Sequence, residues 1–560
     1  MRRPVMRLPL AVLLLAPLAG CNRLGGPQLE IPMLVGSALG RFCQQAAEAI
    51  ARQPPRLDDG TRVLLRCRAA GSGDVVNEIE RHARAVLQGG APADDPAIPV
   101  LLSVDGEIYL ELLRHRLQAL APSRELIPAP ADVPALASSP MVFMTTPALA
   151  KGLQGKAPFQ SLARSRDHRQ LDPAAPPQAI RFVHTAPTRS NSGLQTLVAM
   201  YAEVAGKPPE ALTLADVQRH APAVAAIERH VTRYGSSTDE LARAMQRNGP
   251  FWATVASVYE SSVVGVNSQR SGSQELLQAV YPSSTYASTM RAILPKAPWV
   301  SAQEKAAAEL LIQRLQSPEI QRLAADQGLR PANPAVPASR VVPAYGVDPR
   351  AVYDSLRAPQ PAVVEAMIRT WRDLVKKPSR VALVVDSSGS MSGDKLPSAQ
   401  RSLQAYLRQI GPRDTVGLID FDNRLQEPVV IRGGPEGAAQ GQAFVEGLVA
   451  DGGTRLHDAV FGAREWLRRT RQPGEILAVV VLTDGQDQGS NLSLEGLKAE
   501  LKRSGFSGDE RIGVFTIGYG NTGDYDADVL RQIAESNGGE FTQGTPESIL
   551  RRMEDLQMAF

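Results

Sequence analysis

An excess of charge of either sign is missing from this chain. It carries 61 Lys and Arg against 58 Asp and Glu, a net charge of +3. That balance, with no basic stripe interleaved with aromatics, argues against a nucleic-acid-binding surface. Long apolar runs are also missing beyond the first twenty residues, so no later stretch reads as a membrane helix. The seven histidines show no metal-ligand spacing. There is no phosphate loop of the Walker type, and Ser387 and Ser388 have neither a nearby His nor the surroundings of a nucleophile elbow. The acid pairs Asp420/Asp422 and Asp484/Asp487 suit a solvated or metal-supporting role better than acid–base chemistry. These absences point to a binding protein and not an enzyme. Cysteine is scarce, with only Cys21, Cys43 and Cys67. What remains is 560 residues of ordinary globular composition, enough for three or more domains.

The first residues carry an address. Arg2, Arg3 and Arg7 precede the apolar run Leu8 to Leu18, which is too short to span a membrane comfortably. It ends in Leu18-Ala19-Gly20-Cys21, which resembles a bacterial lipobox. That resemblance implies a signal peptide over 1–20, lipidation of Cys21, and a tether over 21–30 holding a water-soluble body in the cell envelope, facing the periplasm or the exterior. A cleaved signal peptide with an incidental Cys is the alternative. In an exported protein the two remaining thiols favour a Cys43–Cys67 disulfide, with two buried free thiols as the other choice. Cys43 lies two turns into the first helix and Cys67 at the end of the next strand. In a right-handed strand–helix–strand unit these places share one edge of the sheet.

Strands then alternate with helices. Ile31 to Val35 is expected as a strand, Gly36-Ser37-Ala38 as a turn into a helix, Thr61 to Cys67 as a strand, and Ala70 to Asp74 as the start of another helix. The pattern of strand, small-residue turn and helix is that of a parallel α/β sheet. Further strands are expected at Pro99 to Val104, Pro140 to Thr146, Arg181 to His184 and Val263 to Val266. Leu194, Leu197, Val198 and Tyr201 mark the buried face of a helix after Ser190-Asn191-Ser192. Polar helix starts at Ser37, Ser72 and Ser190, Asn191 and Ser192 suit an oxyanion or a hydroxylated solute. Simple N-capping is the plainer reading of each serine, and His184 is expected as a filled strand position. The phrases Ser139-Pro140-Met141-Val142-Phe143, Thr188 to Gln195, Trp252 to Glu260 and Gln327 to Pro334 resemble the extracellular solute-binding proteins. The resemblance implies a two-lobed type 2 periplasmic-binding fold over 31–350, with a ligand cleft at the three turns or an inherited cleft that binds nothing. Five prolines in 331–349 read as a semi-rigid connector, and 351–378 as a connector and helix.

From 379 to 560 the alternation becomes cleaner. Val381 to Val385 is a buried parallel strand, and Asp386-Ser387-Ser388-Gly389-Ser390 follows it. Gly452-Gly453-Thr454 and Val479 to Gly485 complete a set of hard oxygen donors, brought together because loops after the strands of an open α/β sheet converge at one edge. Asp-x-Ser-x-Ser with a distant Thr and a distant Asp resembles the metal-ion-dependent adhesion site of von Willebrand factor type A domains. This implies a doubly wound, Rossmann-like domain in which Asp386, Ser388, Ser390, Thr454 and Asp484 hold Mg2+ (or Mn2+ or Ca2+), some through water. An acidic side chain of a protein partner would take the exchangeable position. A Ser/Gly turn capping a helix is the bland alternative. In the family, loop shifts at this site couple to the C-terminal helix, here Glu547 to Leu556. Two functions are consistent with these parts: a tethered lipoprotein gripping a protein partner through the metal, or the substrate-binding receptor of an ABC-type transporter with an accessory docking domain.

Overall fold

The computed structural model describes residues 27–155, 157–272, 274–503, 512–521, 523–546 and 548–560. The signal segment, Cys21 and Glu547 lie outside the described residues.

The first module has two lobes. In one, the strands Gln28–Gly36, Arg62–Ala70 and Leu101–Leu102 form a parallel sheet with Gln28–Gly36 in the middle. Its first strand starts earlier than the sequence indicated: Gln28 already pairs with Arg62, so the tether ends inside the sheet. Ile31, Met33 and Val35 bury one face against Leu136, Met290 and Leu311, so later segments complete this lobe. The second lobe is a five-stranded mixed sheet built on Met141–Thr145, Phe182–Thr185, Val231–Gly235, Val255–Tyr259 and Gln278–Val280. The lobes are pinned together by Arg330, whose Nε and Nη2 each donate to the Glu260 carboxylate at 2.8 Å. Tyr281 Oη donates to the same carboxylate at 2.5 Å.

Val263 to Val266 is not a strand. It lies in the helix Glu260–Ser268, and the strand is Val255–Tyr259 just before it. Both are apolar and buried, and a short apolar run has no period that separates strand from helix. The proline-rich 331–349 segment packs more than it spaces: Val341 and Val347 are buried against the second lobe. The helix Pro361–Thr370 and its π-helical end Trp371–Val375 also dock on the first module. Trp371 Nε1 donates to Glu228 Oε1 at 3.1 Å. Buried His184 shares that carboxylate (Nε2 to Oε1, 3.2 Å), which makes it a filled core position as expected.

Cys43 and Cys67 form a disulfide, with Cα atoms 5.9 Å apart and a sequence separation of 24. Closing a loop of that size stabilises by about 3 kcal/mol in the chain-entropy account. The double substitution Cys43→Ala and Cys67→Ala is expected to lose that much in urea unfolding, with reductant then having no further effect on it.

The C-terminal module is a six-stranded sheet in the spatial order Val429–Arg432, Thr415–Phe421, Ser379–Asp386, Ile476–Thr483, Ile512–Tyr519, Phe541–Gly544. All neighbours are parallel except the antiparallel edge Val429–Arg432. The central strand Ser379–Asp386 is buried along its whole length. Val381, Leu383 and Val385 face Leu396, Leu403 and the C-terminal helix Ile549–Ala559. Ala382 and Val384 face Leu456, Val460 and Leu467. Both faces are covered by helices, which is why the strand reads as a continuous apolar run.

Candidate metal centre and inter-lobe cleft

At the carboxyl edge of the second sheet, the central strand runs out at Asp386. Ser388 N–H donates to Asp386 Oδ1 at 2.8 Å, which curls the chain so that Ser388 and Ser390 point the same way. Their hydroxyls are 2.9 Å apart, and Ser390 Oγ donates to Asp484 Oδ1 at 2.7 Å. Thr454 is held on its own loop, where Gly389 N–H donates to Gly452 O at 3.0 Å and Gln488 N–H to Thr454 O at 2.6 Å. Gly485 keeps space open there: a Cβ on it would lie 2.9 Å from Thr454 Oγ1 and 3.5 Å from Asp386 Oδ2. The five residues singled out in the sequence thus meet at one spot. Thr454 precedes its helix, which begins at Leu456.

Electrostatics favour a cation here. Asp386 and Asp484 are both fully buried. Burial pushes the Asp386 carboxyl up to about 6, against hydrogen bonds from Ser388 and Thr483 that pull it down. Thr483 Oγ1 donates to Asp386 Oδ2 at 2.5 Å. Two carboxylates and three hydroxyls form the hard, all-oxygen set that Mg2+ takes. Among the described residues, no cluster of three or more His, Cys, Asp or Glu offers a different metal site.

Two further side chains at this centre escaped the sequence reading. Lys395 Nζ lies 2.6 Å from Asp484 Oδ2 and 3.3 Å from Asp524 Oδ2. Lys395 follows the Asp-x-Ser-x-Ser segment closely enough to have been weighed with it; Asp524 carries no motif.

The three polar turns of the first module also come together, around a residue the sequence reading passed over. Asp105 Oδ2 accepts from Ala38 N–H at 3.3 Å, at the helix start marked by Ser37. Its own N–H donates to Ser72 Oγ at 3.1 Å, and its carbonyl accepts from Asn191 Nδ2 at 3.0 Å. Asn191 Nδ2 also donates to Tyr259 Oη at 3.0 Å. Ser192 Oγ lies 2.8 Å from Thr185 Oγ1, 2.6 Å from Thr238 Oγ1 and 3.1 Å from Ser190 Oγ. A Cβ at Gly36 would lie 2.1 Å from Asp105 Oδ1, so the carboxylate needs glycine there. Asp105 is buried, and Oδ1 has no hydrogen-bond partner. Ser37 is half-buried, and the other four predicted residues are buried. The turns converge as expected, but the amide at the Ser37 turn already faces the chain's own carboxylate.

The two modules touch beside these turns. Arg189, next to Ser190, donates from Nε to Asp74 Oδ2 at 2.6 Å and pairs through Nη1 with Asp555 of the C-terminal helix. Trp252 Nε1 and Arg233 Nη1 both donate to Gly538 O, at 3.1 and 2.9 Å.

Comparison with known proteins divides the chain at the same place. Residues 117–347 match the bacterial extracellular solute-binding protein family, and residues 381–486 match the von Willebrand factor type A domain. Human inter-alpha-trypsin inhibitor heavy chain H4 is 30% identical over 173 residues, 30% of this chain and 18% of that protein. An uncharacterized protein from Synechocystis is 28% identical over 167 residues, covering 30% of this chain and 37% of its own length. The chain thus spans less than a fifth of the heavy chain. Among solved structures, the sulfate-binding protein SubI from Mycobacterium tuberculosis aligns over 61% of this chain and 96% of its own at 17% identity, TM-score 0.36. A periplasmic thiamin binding protein aligns over 61% and 95% at 14% identity, TM-score 0.42.

Proposed function

For a chain that joins a two-lobed extracellular solute-binding module to a C-terminal von Willebrand factor type A domain, we propose an envelope lipoprotein that grips a protein partner through a divalent metal. The single observation that carries this reading is the convergence of Asp386, Ser388, Ser390, Thr454 and Asp484 at one sheet edge, two of them buried carboxylates. When bound, Mg2+ supplies positive charge and an exchangeable coordination position, which an Asp or Glu of the partner fills. Asp386, through Ser388 N–H, holds the first loop in shape; Ser390 steers Asp484; Thr454, on a separate loop, responds to the partner. The C-terminal helix transmits that response, and Asp555 on it reaches Arg189 beside the cleft. The test is partner capture from detergent-solubilised membranes on immobilised protein. Capture is expected in Mg2+ and not in EDTA, with Thr454→Ala weakened yet folded. Equal capture with and without metal would overturn the reading.

The location is extracytoplasmic, in keeping with the solute-binding family. Among the described residues no helix is long and apolar enough to cross a membrane; in this reading the anchor is a lipid on Cys21. One acyl chain holds a membrane only marginally, and stable anchoring takes two or more, as bacterial lipoproteins carry. Cys21→Ala is expected to move the protein from the detergent to the aqueous phase in Triton X-114 partitioning; unchanged partitioning would contradict lipidation.

The second reading, an ABC-type receptor, draws on the meeting of the Ser37, Ser72 and Ser190–Ser192 turns between the lobes. With Asp105 already at the Ser37 helix start, the cleft favours a hydroxylated solute over an oxyanion.

A further inference from the structure

Lys395 stands in a place that its own helix does not favour. It is the first residue of the helix Lys395–Arg408, and the preceding Asp394 makes no side-chain capping bond. The N-terminal end of a helix carries partial positive charge, so a cation there is disfavoured. What holds the ammonium is the metal centre: Nζ is 2.6 Å from Asp484 Oδ2 and 3.3 Å from Asp524 Oδ2. The Asp484 side chain is fully buried, whereas Lys395 and Asp524 are partly open to solvent. The other oxygen of Asp484 is taken by Ser390 Oγ. With Lys395 in place, Asp484 is a satisfied ion-pair partner and not a free ligand. A divalent ion approaching it meets a fixed positive charge a few ångströms away.

We propose that Lys395 is a tethered counter-ion of the metal centre. Without metal its ammonium neutralises Asp484. On metal binding it leaves Asp484 and is retained by Asp524, so that the centre exchanges one cation for another. The proposal rests on the metal-site reading above and adds to it a residue that sets affinity. Whenever the ion is absent, the ammonium offsets the repulsion between the buried Asp386 and Asp484 carboxylates, since like charges brought together out of water repel. The proposal also gives Asp524 a role, as the acceptor that lets the ammonium move without entering solvent.

The test is titration of the full-length protein with MgCl2 by calorimetry, with melting curves in EDTA and in Mg2+. Removing the competing charge in Lys395→Gln is expected to tighten Mg2+ binding roughly tenfold. The same variant should melt lower than wild type in EDTA and gain more on adding Mg2+, a reciprocal pattern that loss of a merely structural ion pair would not produce. Asp524→Asn, which leaves the ammonium only Asp484, is expected to weaken Mg2+ binding. Lys395→Met repeats the first arm should the Gln variant fold poorly. Mg2+ binding to wild type with unchanged or weaker affinity in both Lys395 variants would overturn the counter-ion role and leave the metal site standing. No Mg2+ binding by any of them would overturn the metal site itself, and the counter-ion with it.

Discussion

Asp386→Ala is expected to remove every metal-dependent property of the protein while leaving it folded. Asp386 ends the central strand, and its Oδ1 shapes the loop that carries Ser388 and Ser390. One substitution therefore disables three of the five oxygen donors. The fold should tolerate it, because the core beneath is made by Val381 to Val385 and the helices on both faces. The lost acceptor for Thr483 Oγ1 and Ser388 N–H costs something, offset by removal of a carboxyl that burial pushes up to about 6. A ligand at a hundred times its Kd stabilises the folded state by about 2.7 kcal/mol. Wild type should show a metal-dependent rise in melting temperature of that origin. In Asp386→Ala the curves with Mg2+ and with EDTA should superimpose, and partner capture should vanish. A variant that still melts higher in Mg2+ would place the ion elsewhere.

The second large effect is expected at Asp105. Burial pushes its carboxyl up to about 7, against the hydrogen bond from Ala38 N–H. An Asp in the unfolded chain titrates near its ordinary value of about 3.9. Between about pH 4 and pH 7 the folded protein therefore holds a proton that the unfolded chain has released. Stability from this group is complete below the unfolded value and is lost as pH rises through the folded one. Each pH unit in that window costs about 1.4 kcal/mol, reaching roughly 4 kcal/mol by pH 8. Asp105→Asn is neutral throughout and should lack this slope. In urea unfolding the two proteins should match near pH 4, and the variant should be the more stable by several kcal/mol at pH 8. Parallel pH profiles would show that Asp105 is not carrying an unrelieved charge.

The meeting of Asp386, Ser388, Ser390, Thr454 and Asp484 was legible in the sequence because their spacing is dictated by local geometry. Three of them sit at alternate positions after an apolar strand, and the other two follow stretches that place them on neighbouring loops. The order of strand and helix favoured the Cys43–Cys67 disulfide over two free thiols, and it forms, although Cys67 lies inside its strand, which runs on to Ala70. The elements around Val255 to Ser268 were not legible, because both pieces are apolar and buried and neither period stands out. Asp105 was missed although it ends an apolar stretch much as Asp386 does; no second motif marks what it faces. Lys395 was passed over, since only the fold shows that Asp484 and Asp524 close on it. The contact of Arg189 with Asp555 joins distant parts of the chain, and no pattern in either segment announces it.

The central claim is that the von Willebrand factor type A domain holds one divalent ion through Asp386, Ser388, Ser390, Thr454 and Asp484. Isothermal titration of the metal-stripped protein with MgCl2, wild type beside Asp386→Ala, tests it most directly. The account predicts one Mg2+ bound per wild-type chain and no binding heat from the variant. Identical titrations from the two proteins, whether both bind or neither does, would contradict it.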